Sequence, residues 1–538
     1  MNRKKTHSFL PNVPYPLNLL VKEFNSLPRR EKAPSGRVSN EWHFDIRYVQ
    51  IEPTPSHVLV LINPQSQFLH MERLPVGLPA DKSGIAFFPE SGKEAAPEIA
   101  KALLHSFVNN LRQGQFMAHK PPLAFAPWKL TTEDKDVAAE VGKELKRLGI
   151  SPDALHEIGV SRKSVNVIMD EAFHKLFATV KKSIGISGLI DAVIQTPQHI
   201  GFSNFKLMPR EPPRMPGETK EERRFNDALL YVQQLMNARP PKASDVETKV
   251  MVQHQGREMQ LVLQRTEEKP PKVIKAEADR GDPNAAFDYG LRLLIGLGCK
   301  AQRTLARDYL IKALSAPDAS DELKATAHGV LIDWYVSSCC HDFRSRYMFA
   351  ASHHANLAAR YCKLVSPKNV HASPAVLFFM SRVFETQAKA HMELNYWFKD
   401  AIAAYEFRNA QYASGKQKME QKRLKNPNRY RCAAIGCGIE ADSGSMLSKC
   451  AGECDQGKKP SYCSKECQKA DWKNHKPFCK PGMPCSIIDT YAPGVLGSAG
   501  PSSKEGAIQM LREIRDYAQG ADLAGIRSIT MELERITM

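Results

Sequence analysis

No stretch of this chain approaches the run of about 18 apolar residues that a membrane-spanning helix requires, which argues against a helical membrane protein. The opening MNRKKTHSFLPNVPYPLN is basic but lacks the sustained apolar core of a secretory leader, so the expected compartment is intracellular, cytoplasmic or nuclear. Low-complexity tracts are missing as well. So are a Gly-x4-Gly-Lys-Ser/Thr phosphate cradle and a Gly-x-Ser-x-Gly nucleophile elbow, and nothing else in the first half singles out a catalytic set. Cysteine is absent until Cys299.

What is present is a globular composition, 42% apolar and 25% charged over 538 residues, long enough for about three domains. Lysine and arginine outnumber aspartate and glutamate by 75 to 58, a net charge of +17. Such an excess suits nucleic acid or acidic partners. No basic run is interleaved with aromatics, however, so solvated faces are the simpler reading.

Four of the 12 cysteines, Cys299, Cys339, Cys340 and Cys362, lie in helical-looking sequence as small apolar residues, and the other eight fall between Cys432 and Cys485. In a reducing compartment that crowding points to metal rather than disulfides. Four close pairs stand out: Cys432/Cys437, Cys450/Cys454, Cys463/Cys467 and His475/Cys479. Three or four residues separate each pair, so a knuckle or one helical turn aims both side chains at one ion. Seven thiolates and one imidazole make two closed tetrahedral sites, the arrangement of structural zinc, with no position left for a substrate. So small a segment buries little apolar surface, and metal binding supplies its folding energy. Ser464 is placed to cap a helix starting near Lys465, with Trp472 covering the metals.

This segment resembles the MYND-type zinc finger. Tyr462, Cys463, Cys467, Gln468, Trp472, His475 and Cys479 stand at the family's spacings, Tyr-Cys-x3-Cys-Gln and then Trp-x2-His-x3-Cys. The opening departs from the pattern: four residues separate Cys432 from Cys437 where the family has two, and three separate Cys450 from Cys454. These longer knuckles strain the ligand geometry at Cys437 and Cys454. The resemblance implies two interleaved zinc sites, one of Cys432, Cys437, Cys463 and Cys467 and the other of Cys450, Cys454, His475 and Cys479. It leaves Cys485 outside the set. It further implies binding of short proline-containing peptides, with Gln468 and Trp472 as partner-binding residues.

Upstream, from Lys275, apolar residues recur at three- and four-residue steps, with small ones where two helices touch: Ala286, Tyr289, Gly290 and Leu293, then Leu305, Ala306, Tyr309, Leu310 and Ala313. Asp282-Pro283 opens the first helix and Gly296 and Gly298 separate the pair. The unit resembles a tetratricopeptide-like repeat of the Sel subclass, in its Gly-Asp-Pro-x-Ala-Ala opening, Tyr289-Gly290 and Lys312-Ala313. Further helical stretches follow, and a stack of such units would offer an extended binding surface.

The expected architecture is multidomain: an N-terminal α+β (or α/β) domain, a central all-α helical-repeat region, a small zinc-binding finger and a terminal helix. In residue ranges, 1–40 is a disordered basic, proline-rich segment, 41–208 the α+β domain, and 209–272 a linker with a helix. Residues 273–414 form the helical repeats, 415–431 a basic connector helix, 432–479 the finger, 480–505 a flexible linker and 506–538 a helix. Within 41–208 the stretches FDIRYVQIEP, HVLVLIN, FLHMERLP and GIAFFPE read as strands, and a helix capped near Thr132 ends at Gly149. His57, His70, His105 and His119 are scattered without ligand spacing and read as structural or exposed.

The leading functional expectation is a non-enzymatic, zinc-binding interaction protein of adaptor or scaffold type, with no membrane role. One alternative is a nucleic-acid-associated transcriptional regulator. Another is a SET-type lysine methyltransferase relative, for which the Asn-His-Ser and Gly-Glu-Glu signatures are missing.

Overall fold

The computed structural model describes residues 16–79, 81–111, 124–151, 153–203, 217–241, 248–337, 346–365, 372–425, 427–441, 446–483 and 486. The chain divides into two compact units, Met1–Arg408 and Asn409–Met538. Cys339, Cys340, His119, Cys485 and the expected terminal helix 506–538 lie outside the described residues.

The first unit begins with helix α1 (Leu17–Ser26), then strands β1 (Glu41–Val49), β2 (Ser56–Ile62) and β3 (Leu69–Leu74). Helix α2 (Gly92–Val108), strand β4 (Lys129–Thr132), helix α3 (Lys135–Arg147), strand β5 (Gly159–Val160), and helices α4 (Lys163–Ser183) and α5 (Leu189–Val193) follow. The strands form one mixed sheet in the order β3-β2-β1-β4-β5, antiparallel over the first three and parallel from β1 to β5. Every residue of β2 is buried because both faces are covered. Leu59 and Leu61 join α1, α2 and α3 on one side, while Val58, Val60 and Ile62 meet Met169, Phe173 and Phe177 of α4 on the other.

Two expectations for this region are corrected. Residues 16–40 were expected to be disordered, but α1 packs Leu20 and Phe24 into the core under the sheet. The cap of α3 is Asp134, whose carboxylate accepts the Val137 N–H at 2.9 Å, two residues past the expected Thr132.

The remaining helices are α6 (Lys220–Ala238), α7 (Thr248–Glu268), α8 (Pro271–Asp279), α9 (Pro283–Ile295), α10 (Arg303–Ser315), α11 (Asp321–Val336) and α12 (Arg346–Val365). Then come α13 (Pro374–Phe379), a π turn at Met380–Phe384, α14 (Glu385–Ala390), α15 (Leu394–Trp397) and α16 (Lys399–Lys425). Asp282 caps α9 through its Asn284 and Ala285 N–H groups, and Gly296 closes that helix in the left-handed conformation at φ 95°. Gly290 lets α9 and α10 touch: a Cβ there would lie 3.1 Å from the Ala306 carbonyl. The helix expected within the 209–272 linker is α6, which carries a Thr219/Glu222 capping box and, beyond a linker's role, buries Ala228, Tyr231 and Val232 in the helical core.

GIAFFPE (84–90) is not a strand. Phe88 belongs to the core of the helical region, with its ring 4.9 Å from that of Tyr335 and 5.0 Å from that of Tyr347. The backbone on either side is held by side chains instead of a neighbouring strand. Arg307 donates to the Phe88 carbonyl, Arg346 to the Pro89 carbonyl at 2.7 Å, and the Tyr347 hydroxyl to Glu90 at 2.9 Å. The 84–90 loop and Tyr48 of β1 therefore belong to the helical core, which lies in one compact unit with the two clusters on either face of the sheet, where the sequence suggested separate domains.

A second tie is Glu393, 1% exposed, whose Oε2 accepts from Gln50 Nε2 at 3.3 Å and from the Gln195 N–H at 3.1 Å. Burial pushes its carboxyl up from 4.5 to about 7, against the opposing pull of those two donors. Because the folded value is the higher one, the stabilisation is complete below pH 4.5 and is lost as pH rises through about 7. The shift corresponds to about 3 kcal/mol. Glu393→Gln should flatten this loss, so that urea unfolding at pH 8 shows the variant more stable than the parent while the two converge near pH 5.

Candidate metal centre

In the second unit the short helix α17 (Pro427–Tyr430) leads into strands β6 (Ser448–Lys449) and β7 (Ser461–Tyr462) and helix α18 (Lys465–His475). The two strands pair antiparallel, and α18 starts where expected, with Ser464 Oγ accepting the Cys467 N–H at 3.3 Å. Little apolar matter is buried among the described residues here: the cluster around the cysteines adds Ala434 and Tyr462, with Ala441 and Leu447 also buried.

All eight predicted ligands come together in two quartets, each with its ligand atoms within 4.8 Å of one another. One is Cys432, Cys437, Cys463 and Cys467; the other is Cys450, Cys454, His475 and Cys479. The chain supplies them in the interleaved order that the family resemblance implied. In the first quartet Sγ separations are 3.6 Å for Cys437–Cys463, 3.5 Å for Cys463–Cys467 and 3.6 Å for Cys467–Cys437. In the second, Cys479 lies 3.8 Å from Cys450 and 3.9 Å from Cys454, and Cys454 lies 3.6 Å from His475 Nε2. These separations are far too long for disulfides. They match the edges of tetrahedra built on zinc bond lengths, about 3.7 Å between sulfurs and about 3.5 Å between sulfur and nitrogen. The long opening knuckles therefore reach both sites.

Electrostatics agrees with a cation at each centre. Burial, followed by the charge of Cys450, pushes the Cys454 thiol up to about 11. Interaction with Cys467 and then Cys437 pushes Cys463 up to about 12. Sulfurs this close resist ionising together, and a divalent ion removes that resistance.

Three supporting residues escaped the sequence reading. Gly452 is the first: a Cβ there would fall 2.2 Å from Cys479 Sγ, so any side chain collides with the second quartet. Its N–H also points at Cys450 Sγ at 3.3 Å, a donor to a thiolate. Ser486 is the second, its Oγ 2.9 Å from His475 Nδ1, which turns Nε2 toward the cysteines. Asp471 is the third: it accepts from the Tyr462 hydroxyl at 2.9 Å, both groups buried, and so locks α18 to β7. Sequence spacing carries no signal for the last two. A glycine between ligand cysteines is the faint signal for the first.

Gln468 and Trp472 lie one turn apart on α18, on the same side of the helix. Trp472 does not cap the metals: its ring packs edge-on to His475 at 6.1 Å but stays 42% exposed.

Residues 436–479 match the family model of the MYND finger. That match covers most of the zinc-binding segment and leaves the rest of the chain unassigned. No curated protein and no solved structure matches this chain. The MYND finger is a zinc-binding protein-interaction module, and both quartets here fit one zinc ion each.

Metal analysis of the full chain should find Cys467→Ala short of one finger ion relative to the parent. His475→Ala should lose the other ion and keep the all-cysteine site. Gly452→Ala should match His475→Ala, since its methyl group strikes only the second quartet. Equal loss from both sites in His475→Ala would contradict the interleaved arrangement.

Proposed function

We propose that the protein is an intracellular adaptor whose finger binds short proline-containing peptides through the exposed side of α18. The observation that carries this reading is Trp472, a large indole 42% exposed on a helix pinned by two zinc ligands, with Gln468 one turn away. An aromatic held rigid at the surface provides contact area at little entropic cost, and a neighbouring amide supplies the hydrogen bonds that a peptide backbone needs. Each quartet spends four protein ligands, so the finger has a binding role and not a catalytic one. The helices from α8 onward are read as tetratricopeptide-like repeats that extend the scaffold; support comes from the α9–α10 contact at Gly290 and the capped turn at Gly296.

Exposed Lys465, Lys469 and Lys473 on α18 motivate nucleic acid as the competing partner. Salt separates the two. Peptide affinity carried by Trp472 should change little between about 50 and 200 mM salt, whereas phosphate contacts would weaken binding steeply over that range. Against an immobilised library of proline-containing peptides, Trp472→Ala should lower affinity at least tenfold, about 1.4 kcal/mol, with zinc content unchanged. Undiminished binding by that variant, or steep salt dependence, would contradict the proposal.

A further inference from the structure

Two features of the finger meet at the C-terminal end of α18. One is the exposed indole of Trp472. The other is the path of the chain beyond the last zinc ligand. Ser486 places its Oγ 2.9 Å from His475 Nδ1, and the ring of His475 lies 6.1 Å from that of Trp472. The chain therefore leaves Ser486 one imidazole away from the indole.

Residues 487–501, outside the described residues, read IIDTYAPGVLGSAGP. The stretch is apolar, with Pro493 and Pro501 on either side of Val495 and Leu496, so it has the character of the peptides proposed above as partners. Its only charged side chain is the carboxylate of Asp489. Helix α18 exposes Lys465, Lys469 and Lys473 against the one exposed acid Glu466, so the charges are complementary. Reach is sufficient. Extended chain from Ser486 to Pro493 spans about 23 Å, while Gln468 lies one helical turn beyond Trp472, about 5.4 Å.

We propose that residues 487–501 are the finger's own ligand: Pro493 and Leu496 fold back onto the Trp472–Gln468 side of α18 in the same chain and compete there with partner peptides. This inference rests on the reading of that side as a peptide site. A short tether holds its ligand at an effective concentration in the millimolar range. A segment with an intrinsic dissociation constant of about 100 μM would then fill the site about nine times in ten. A peptide added from solution would bind about tenfold more weakly than to an open finger.

The test uses the full chain, with a fluorescein-labelled synthetic peptide of residues 487–501 as the probe. The double variant Pro493→Ala/Leu496→Ala changes no zinc ligand and should keep the parent's zinc content. It should bind the probe about tenfold more tightly than the parent does. Trp472→Ala should weaken probe binding by a larger factor in that open background than in the parent, because only there does the indole start uncovered. Equal probe affinity of the parent and the double variant would overturn the self-contact. A parent that sediments as a dimer, where the double variant does not, would place the segment on a second copy and overturn the contact within one chain. If the probe fails to bind the double variant while library proline peptides bind it through Trp472, the self-ligand falls and the peptide site stands. If neither binds, both fall.

Discussion

The C-terminal unit depends on the attraction between eight soft donor atoms and two divalent ions. Seven sulfurs and one imidazole are drawn from four separate stretches of chain, and each ion joins two stretches that the sequence keeps apart. Little else does so. The hairpin has two residues per strand, the buried apolar residues described are few, and a buried side-chain hydrogen bond joins Tyr462 of β7 to Asp471 of α18. Ligation therefore fixes the path of the backbone, and the exposed side of α18 is rigid because both of its ends lie next to a metal ligand, Cys467 near the start and His475 at the close.

The first unit follows a different logic. Its mixed sheet is buried on both faces, and the loop at 84–90 inserts Phe88 among the helices while arginines hold the flanking carbonyls. Burying a guanidinium is costly unless its donors are occupied. Arg346 satisfies that condition with a backbone carbonyl, a histidine nitrogen and the faces of Phe88 and Tyr347. Backbone carbonyls that a strand neighbour would otherwise have paired find partners in this way, so an apolar run can leave the sheet and still be buried.

How much of this could be read from the chain depends on the range of each interaction. The zinc ligands were legible because each pair is a local signal, and Ser464 because capping acts across three residues. Strands β1 to β3 were legible as short apolar runs bounded by turn residues, although only β3 alternates in burial. GIAFFPE misled because an apolar run looks the same whether its neighbours are strands or helices. The helix expected within 209–272 was read as part of a linker because its charged first turns mask the spacing of Ala228, Tyr231 and Val232, which the fold buries. Gly452, Ser486 and Asp471 matter only through atoms brought close by the fold.

The central claim, that metal ligation and not apolar packing holds the finger together, is tested most directly by amide hydrogen exchange on the full chain with and without a strong zinc chelator. The account predicts that protection across residues 432–479 collapses on chelation while β2 and the helices around Phe88 keep theirs. A finger that stayed protected after its metal had been removed would contradict it.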